Sequence, residues 1–299
     1  MEKYDLPKEE FLYSGHPACA GCGAAQALRF GLKGLGEKAI LVMPACCAVV
    51  ISGPYPHTSL GVPVFHTAFA TAASTACGLK HGLEVQGDCE TQVVAWAGDG
   101  GTFDIGFQAL SGAIDRNEDI IYVCYDNEGY MNTGIQKSSA TPWKAWTGTT
   151  PYGKEDSKKN IMDIMASHKI PYAANASVGY PDDLIMKMRK ATKIKGSRFI
   201  HILAPCPPGW KSPEHLSTKL ARLAVETKIF PLYEVEEGVR YTINRIPKGL
   251  PVTEYLKYQG RYDHLTQEEI KAIQEVVDIE WELLLKKARI GKQMGGWPR

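Results

Sequence analysis

Residues 95–134 read AWAGDGGTFDIGFQALSGAIDRNEDIIYVCYDNEGYMNTG, and the fold turns on how this stretch is parsed. An apolar run at 91–97 ends in the turn Gly98-Asp99-Gly100. A helix-like segment follows at 104–116, and a second apolar run at 119–125 leads into Asn127. The parse is strand–helix–strand, with Asp99 and Asn127 at the carboxyl ends of two parallel strands. Ligands of doubly wound sheets bind along that edge. One carboxylate and one amide oxygen there suit an octahedral Mg²⁺ whose other positions go to diphosphate oxygens, a backbone carbonyl and water. Gly98 and Gly100 let the backbone approach a diphosphate closely. The competing reading is a plain α/β crossover in which Gly-Asp-Gly is only a turn.

Working outward, apolar runs near 39–44, 92–97, 119–125, 171–177 and 198–204 read as buried parallel strands. Helical patterns fall between them, at 24–35, 161–168 and 182–194. This alternation predicts an α/β fold: an open, doubly wound, mostly parallel sheet covered on both faces. Residues 126–158 carry no periodic pattern; loops of that length in compact domains are usually functional, and this one would wrap a cofactor. Past residue 228 the character changes to strand-like segments at 230–235 and 240–246 and a charged helix at 267–287, whose glutamates and lysines form a solvated face. The expected division is a cofactor-binding domain over 1–228 and a C-terminal extension over 229–299 that packs on partner chains.

With 299 residues, 44% of them hydrophobic, the chain can bury a substantial core. A formal net charge of +1 gives no case for nucleic acid or an acidic membrane surface as partner. No apolar run approaches the roughly 20 residues needed to span a bilayer. The opening MEKYDLPKEEFLYSGHP has acidic residues and no apolar core, so it does not read as a secretory signal, and a cytoplasmic location is expected. Cytosolic thiols are kept reduced, so the eight cysteines are not expected to form disulfides.

Cys19 and Cys22 form a CxxC in SGHPACAGCGA, Cys47 follows in MPACCAVVISGPYP, and Cys206 sits in ILAPCPPGW. Four such thiolates fit either Zn²⁺ or an iron–sulfur cluster; the CxxC alone is also the pattern of a redox dithiol. Cys46 competes with Cys47 as the third ligand. Cys206 ends a strand-like run and is followed by a rigid Pro-Pro-Gly turn, which puts it on the same sheet edge as Asp99. Cys77 and Cys124 read as small buried hydrophobes, and Cys89 as a surface thiol.

HPACAGCG, the downstream cysteine near Gly53, Gly-Asp-Gly with its asparagine, DNEGYMNTGIQKSSATP and APCPPGW occur in one consistent order. In that combination the chain resembles the β subunit of multi-subunit 2-oxoacid:ferredoxin oxidoreductases, most closely the pyruvate:ferredoxin oxidoreductase (pyruvate synthase) group, over essentially its whole length. The resemblance implies a thiamine-diphosphate-binding fold. It implies that Cys19, Cys22, Cys47 and Cys206 hold one 4Fe–4S cluster, and that Asp99, Asn127 and the Gly129 carbonyl bind Mg²⁺. Asn132 and Thr133 would lie near the aminopyrimidine and the 2-oxoacid. Cys46-Cys47 departs from the Gly-Cys pair usual in the family. The absence of a CxxCxxCxxxCP run implies that distal clusters belong to a ferredoxin-like subunit. An α subunit would supply the glutamate that activates the pyrimidine; a γ subunit and ferredoxin complete the implied partners. Coenzyme A would collect the acyl group, and the reaction would run in either direction.

Around these motifs, His66 is read either as a contact to diphosphate or substrate or as a residue preceding the long helix. His16 either orients a cluster ligand or starts the turn. Lys137, Ser138, Ser139 and Thr141 line a substrate entrance or a solvated loop. Trp143, Trp146 and Tyr152 read as interface packing or as an adenine platform. Competing with the redox enzyme are a non-redox thiamine lyase or ligase with structural zinc and a non-catalytic assembly subunit. Pyruvate is the favoured substrate; branched-chain 2-oxoacids, 2-oxoglutarate and oxalate would use the same core residues.

Overall fold

The computed structural model describes residues 6–294. The first five residues of the stretch read as lacking a secretory signal, and the last five of the chain, lie outside the described residues. α1 (Gly23–Leu35) leads to β1 (Ala39–Pro44), α2 (Cys47–Ser52), β2 (Val64–Thr67), α3 (Ala72–Val85) and β3 (Gln92–Gly98). A π-helical turn, Gly100–Ile105, runs into α4 (Phe107–Asp115) and then β4 (Ile121–Asp126). Beyond a long loop come α5 (Ile161–Ser167), β5 (Tyr172–Ser177), α6 (Pro181–Lys193), β6 (Arg198–Leu203), α7 (Pro207–Trp210) and α8 (Ser217–Glu226). β7 (Tyr233–Glu236), β8 (Arg240–Ile243), α9 (Thr253–Leu256) and α10 (Gln267–Met294) follow.

The eight strands of the described residues form one sheet in the order β2-β1-β3-β4-β6-β5-β7-β8. β1 to β6 are parallel; β7 joins antiparallel to β5, and β8 antiparallel to β7. Val94 and Trp96 of β3 face a core built with α1 and α6, while Val93, Ala95 and Ala97 face a second core with α3 and α4. Burial on both faces is why these strands read as unbroken apolar runs and not as alternating ones. The fold is thus an open, mostly parallel, doubly wound sheet.

Neighbouring strands β1 and β3 send their connections in opposite directions. From β1 the chain passes through α2 to the edge strand β2; from β3 it passes through α4 to β4. A crevice opens outside the carboxyl ends at such a switch point. Cys47 begins α2 on one side of it and Asp99 follows β3 on the other.

Three local findings depart from the sequence reading. The segment Val64–Thr67, which leads into α3 as read, is itself an edge strand that the sequence reading did not include; it is short, follows Pro63 and leaves Phe65 and His66 exposed. The helix expected at 104–116 begins as the π-helical turn directly after Asp99. The strand-like segments past 228 are shorter than read and continue the same sheet, and the charged helix runs on to Met294. A third core, including Trp210, Leu220, Phe230, Tyr255 and Val277, seats this C-terminal part beneath the end of β6. No helix of the described residues is long and apolar enough to cross a membrane.

Candidate active site

β3 and β4 pair in register Gly98 to Tyr125, so Asp99 and Asn127 leave the sheet side by side. The Asn127 amide oxygen faces Asp99 Oδ1 at 2.8 Å and the Gly129 carbonyl oxygen at 2.9 Å, with only acceptors meeting there. Rotating the amide by 180° turns both contacts into hydrogen bonds donated by its nitrogen. A cation reconciles the three oxygens without rotation. The donor set, one carboxylate, one amide and one peptide carbonyl, fits a small hard cation. Ser138 Oγ donates to the other Asp99 oxygen at 2.5 Å. Burial, with the negative Asp126 nearby, pushes the Asp99 carboxyl well above the usual carboxylate range.

The turn is gripped from behind. Asp126 is fully buried, and one of its oxygens receives Lys158 Nζ at 2.7 Å and pairs with His201 Nε2 at 2.8 Å. Its other oxygen accepts the Glu128 backbone N–H at 2.9 Å. Burial opposes ionisation of Asp126, but the Lys158 charge and His201 outweigh it and hold the carboxyl down at about 2. Lys158 also donates to Glu128 Oε1 at 3.0 Å, and Arg261 reaches Glu128 Oε2 at 2.7 Å. The turn's carbonyls are held as well: Trp210 Nε1 donates to Asn127 O, and Thr141 Oγ1 to Glu128 O, both at 2.8 Å.

Gly98 and Gly100 are fixed by two tyrosines. A Cβ on Gly98 would lie 3.2 Å from the Tyr125 hydroxyl, and one on Gly100 would lie 2.5 Å from the Tyr130 ring. The Tyr130 hydroxyl donates to Asp104 Oδ2 at 2.8 Å, so the ring closes the floor of the loop against the π-helical turn. Ser139 Oγ bonds the same carboxylate.

The four cysteines of interest come from three segments along the carboxyl edge. Cys22 ends the CxxC turn and caps the start of α1, its N–H bonding Cys19 O at 3.1 Å. The next N–H, of Gly23, donates to Pro205 O at 2.9 Å; a Cβ there would sit 2.5 Å from Pro205 N, so only glycine lets this turn close on Pro205-Cys206. Burial and the charges of Cys206, Cys46, Cys22 and Asp99 push the Cys47 thiol up to about 12. Burial and the charges of Cys22 and Cys19 likewise push Cys206 up to about 12, against the Gly209 backbone N–H. Cys22 caps α1, Cys47 begins α2 and Cys206 precedes α7, and the Gly23 to Pro205 hydrogen bond ties the first of these segments to the last. Cys46 turns inward instead: its thiol bonds the Tyr125 hydroxyl, and burial raises its pKa. Among the described residues, no three His, Cys, Asp or Glu side chains close on a single ion.

Asn132 and Thr133 are exposed at the tip of the loop, where Thr133 Oγ1 donates to Gln136 Oε1 at 2.6 Å. His66 is exposed on β2, in register with Met43. His16 has a buried Nδ1 with no hydrogen-bond partner. Lys137 pairs with Asp156, and Thr141 is buried within the loop. Trp143 and Trp146 lie half-buried under Lys144 and Lys211, and Tyr152 is 91% exposed. Cys77 and Cys124 are buried, and Cys89 is exposed.

Residues 46–202 match the family described as thiamine pyrophosphate enzyme, C-terminal TPP binding domain. Ketoisovalerate oxidoreductase subunit VorB of Pyrococcus horikoshii is 50% identical over 304 residues, covering 97% of each chain. Pyruvate synthase subunit PorB of Methanothermobacter marburgensis is 49% identical over 278 residues, covering 91% of this chain and 96% of that one. The chain belongs to the 2-oxoacid:ferredoxin oxidoreductases, as a β subunit. A solved 2-oxoglutarate:ferredoxin oxidoreductase from Magnetococcus marinus shares the fold, with a TM-score of 0.59 and 22% identity over 74% of this chain and 81% of that one. The β subunit therefore carries a thiamine-diphosphate-binding domain and works within a multi-subunit oxidoreductase. Relatives named as oxidoreductase subunits set aside the non-redox and non-catalytic readings.

Sequence reasoning missed the group behind the metal turn: Asp126, Glu128, Lys158, His201 and Arg261. One signal was available. Two acidic residues bracket Asn127 at the end of a fully apolar strand, and buried carboxylates demand cations.

Proposed function

We propose that this subunit holds thiamine diphosphate and Mg²⁺ at the β3/β4 edge and a proximal 4Fe–4S cluster on Cys19, Cys22, Cys47 and Cys206. The assembled enzyme then oxidatively decarboxylates a small 2-oxoacid to acyl-CoA and CO₂, reversibly, with ferredoxin as electron acceptor. The observation that carries this reading is the meeting of the Asn127 amide oxygen with Asp99 Oδ1 and the Gly129 carbonyl oxygen at the ends of β3 and β4, on the same sheet edge as the closure of the CxxC turn on Pro205-Cys206. Thiamine diphosphate supplies the nucleophilic carbon and electron sink that cleavage of a 2-oxoacid needs, and the cluster accepts electrons singly.

The chain's own residues bind and orient. Asp99, Asn127 and the Gly129 carbonyl would offer three oxygens to Mg²⁺, while Ser138 donates to the second Asp99 oxygen and fixes the carboxylate's orientation. Gly98 and Gly100 let the Tyr125 hydroxyl and the Tyr130 ring pack directly against the backbone on either side of Asp99. The inward thiol of Cys46, bonded to Tyr125, supports Cys47 as the third cluster ligand. Asn132 and Thr133, exposed in this chain, would be covered by the α subunit, which brings the pyrimidine-activating glutamate and part of the substrate pocket. His66, exposed on the edge strand β2, would be a contact to diphosphate or substrate. A γ subunit and a ferredoxin-like cluster subunit complete the assembly.

Pyruvate is favoured by the cofactor loop. The second reading, the branched acid 3-methyl-2-oxobutanoate (ketoisovalerate), is supported by relatives 48% to 50% identical that are named ketoisovalerate oxidoreductases. Anaerobic bleaching of the visible band by each acid, with and without coenzyme A, tests both. A kcat/KM for pyruvate above that for the branched acid supports the first; the reverse order replaces it with the second. Bleaching by neither acid rejects both.

A further inference from the structure

The loop that begins at Asp126 and ends at Lys158 is closed by the ion pair between those two residues, and the pair sits directly behind the metal turn. We propose that Lys158, seconded by Arg261, is the positioning residue of the cation-binding turn. Its ammonium spans Asp126 and Glu128 and thereby aims Asn127 and the Gly129 carbonyl at the metal. The inference rests on the cofactor reading above and concerns residues to which that reading gives no role.

Asp126 and Glu128 flank Asn127 in sequence, so one cation bonded to both side chains fixes the backbone on each side of that residue. Lys158 grips both, at 2.7 and 3.0 Å. Glu128 has a φ of +70°, a left-handed conformation that a residue with a Cβ adopts only when its surroundings hold it. Lys158 and Arg261 hold its two carboxylate oxygens separately, and Thr141 holds its carbonyl. Three carboxyl groups, on Asp99, Asp126 and Glu128, are 1%, 0% and 3% exposed within this one turn. With Lys158 removed, Asp126 and Glu128 face each other with one fewer cation, and the turn relaxes by opening. Asn127 then swings off the triangle it forms with Asp99 and Gly129.

The ammonium also fastens two events together. The loop it closes carries Asn132 and Thr133 at its tip, so closing the loop and aiming the metal ligands become one step. Arg261 reaches Glu128 across 133 residues of sequence, which ties the C-terminal part of the chain to the cofactor edge.

The test uses the assembled enzyme stripped of cofactor, with saturating thiamine diphosphate and Mn²⁺ in place of Mg²⁺. Free Mn²⁺ is followed by electron paramagnetic resonance, and thermal unfolding is recorded in parallel. Partners that orient metal ligands from behind typically change metal affinity about 10–100-fold. Lys158→Met is expected to weaken Mn²⁺ binding by that factor, and Lys158→Arg, which can still span two carboxylates, to recover most of it. Equal Mn²⁺ affinity in Lys158→Met and wild type overturns the proposal, as does Lys158→Arg failing to recover affinity while unfolding like wild type. If Lys158→Met does not assemble, Arg261→Lys carries the comparison: several-fold weaker Mn²⁺ binding supports the proposal, and unchanged affinity overturns it. If wild type binds no Mn²⁺ with the diphosphate, the cofactor reading itself fails and takes the proposal with it.

Discussion

The metal turn and the cysteine rim lie one crevice apart on the same sheet edge, yet they are built on opposite terms. In the turn, every buried carboxylate has an answer within the chain: Ser138 for Asp99, Lys158 and His201 for Asp126, Lys158 and Arg261 for Glu128. On the rim, Cys19 is exposed, Cys22 and Cys47 pack half-buried against the first core, and Cys206 packs half-buried against the third. Burial and the charges of neighbouring cysteines push the Cys47 and Cys206 thiols up to about 12. The difference separates preorganisation from templating. Under the proposed function the turn would offer its oxygens to a cation largely in place, whereas the thiols would have to give up their protons to bind iron.

Breaking the turn gives the largest expected effect. Asp99→Ala removes a ligand outright, so Mg²⁺-dependent binding of thiamine diphosphate should fall by more than the roughly 100-fold typical of supporting residues. Iron and sulfide content should stay at the wild-type level. Calorimetric titration with metal analysis on one preparation checks both halves; joint loss would show that the two regions are not independent. Breaking the rim should do the converse. Cys47→Ala should abolish substrate-dependent bleaching while leaving cofactor affinity within about twofold, whereas Cys46→Ala should bleach normally. If Cys46→Ala is the silent variant, the ligand assignment reverses.

Two smaller effects sharpen the comparison. Gly100→Ala drives a Cβ to 2.5 Å from the Tyr130 ring, and overpacking of that kind costs about 1–3 kcal/mol. The loss should show as a lowered Tm with iron content unchanged. Lys154 is 2% exposed and donates to the carbonyls of Thr141, Ser157 and Ser139 without a carboxylate partner. Burial, helped by the charges of Lys137 and Lys158, lowers its pKa to about 8. An opened loop would regain the ordinary lysine value near 10.4, so between those two pH values the open form binds a proton that the closed form lacks. Closure should therefore strengthen as pH rises through that window, by on the order of 1–3 kcal/mol, and gain nothing below it. Amide exchange over 126–158, corrected for intrinsic rates, should show this slope in wild type and lose it in Lys154→Met.

How much was legible follows the same division. β1, β3, β4, β5 and β6 announce themselves because burial on both faces demands unbroken apolar runs. β2 does not: four residues long, with an exposed Phe65 and His66, it carries neither an apolar run nor an alternation. The start of the segment after Asp99 was misplaced because its first turn is π-helical and rich in glycine, a pattern without the 3.6-residue period. Asp99 and Asn127 were visible as local motifs at strand ends. Lys158 and Arg261 were not, because their partners lie 30 and 133 residues away and nothing local marks a lysine or arginine as the one that will be buried. The inward turn of Cys46 depends on the Tyr125 hydroxyl, a contact between the cap of α2 and β4 that no spacing rule reveals.

The central claim is that one chain holds the reacting cofactor and the first electron acceptor on a single sheet edge. The most direct test compares wild type and Cys206→Ala in the anaerobically purified assembly, by iron, labile sulfide and bound thiamine diphosphate together with the visible band before and after 2-oxoacid. The account predicts about four fewer irons and sulfides per β subunit in the variant, cofactor content unchanged, and no bleaching. Full iron and sulfide with undiminished bleaching in Cys206→Ala, or zinc without sulfide in the wild type, would contradict it.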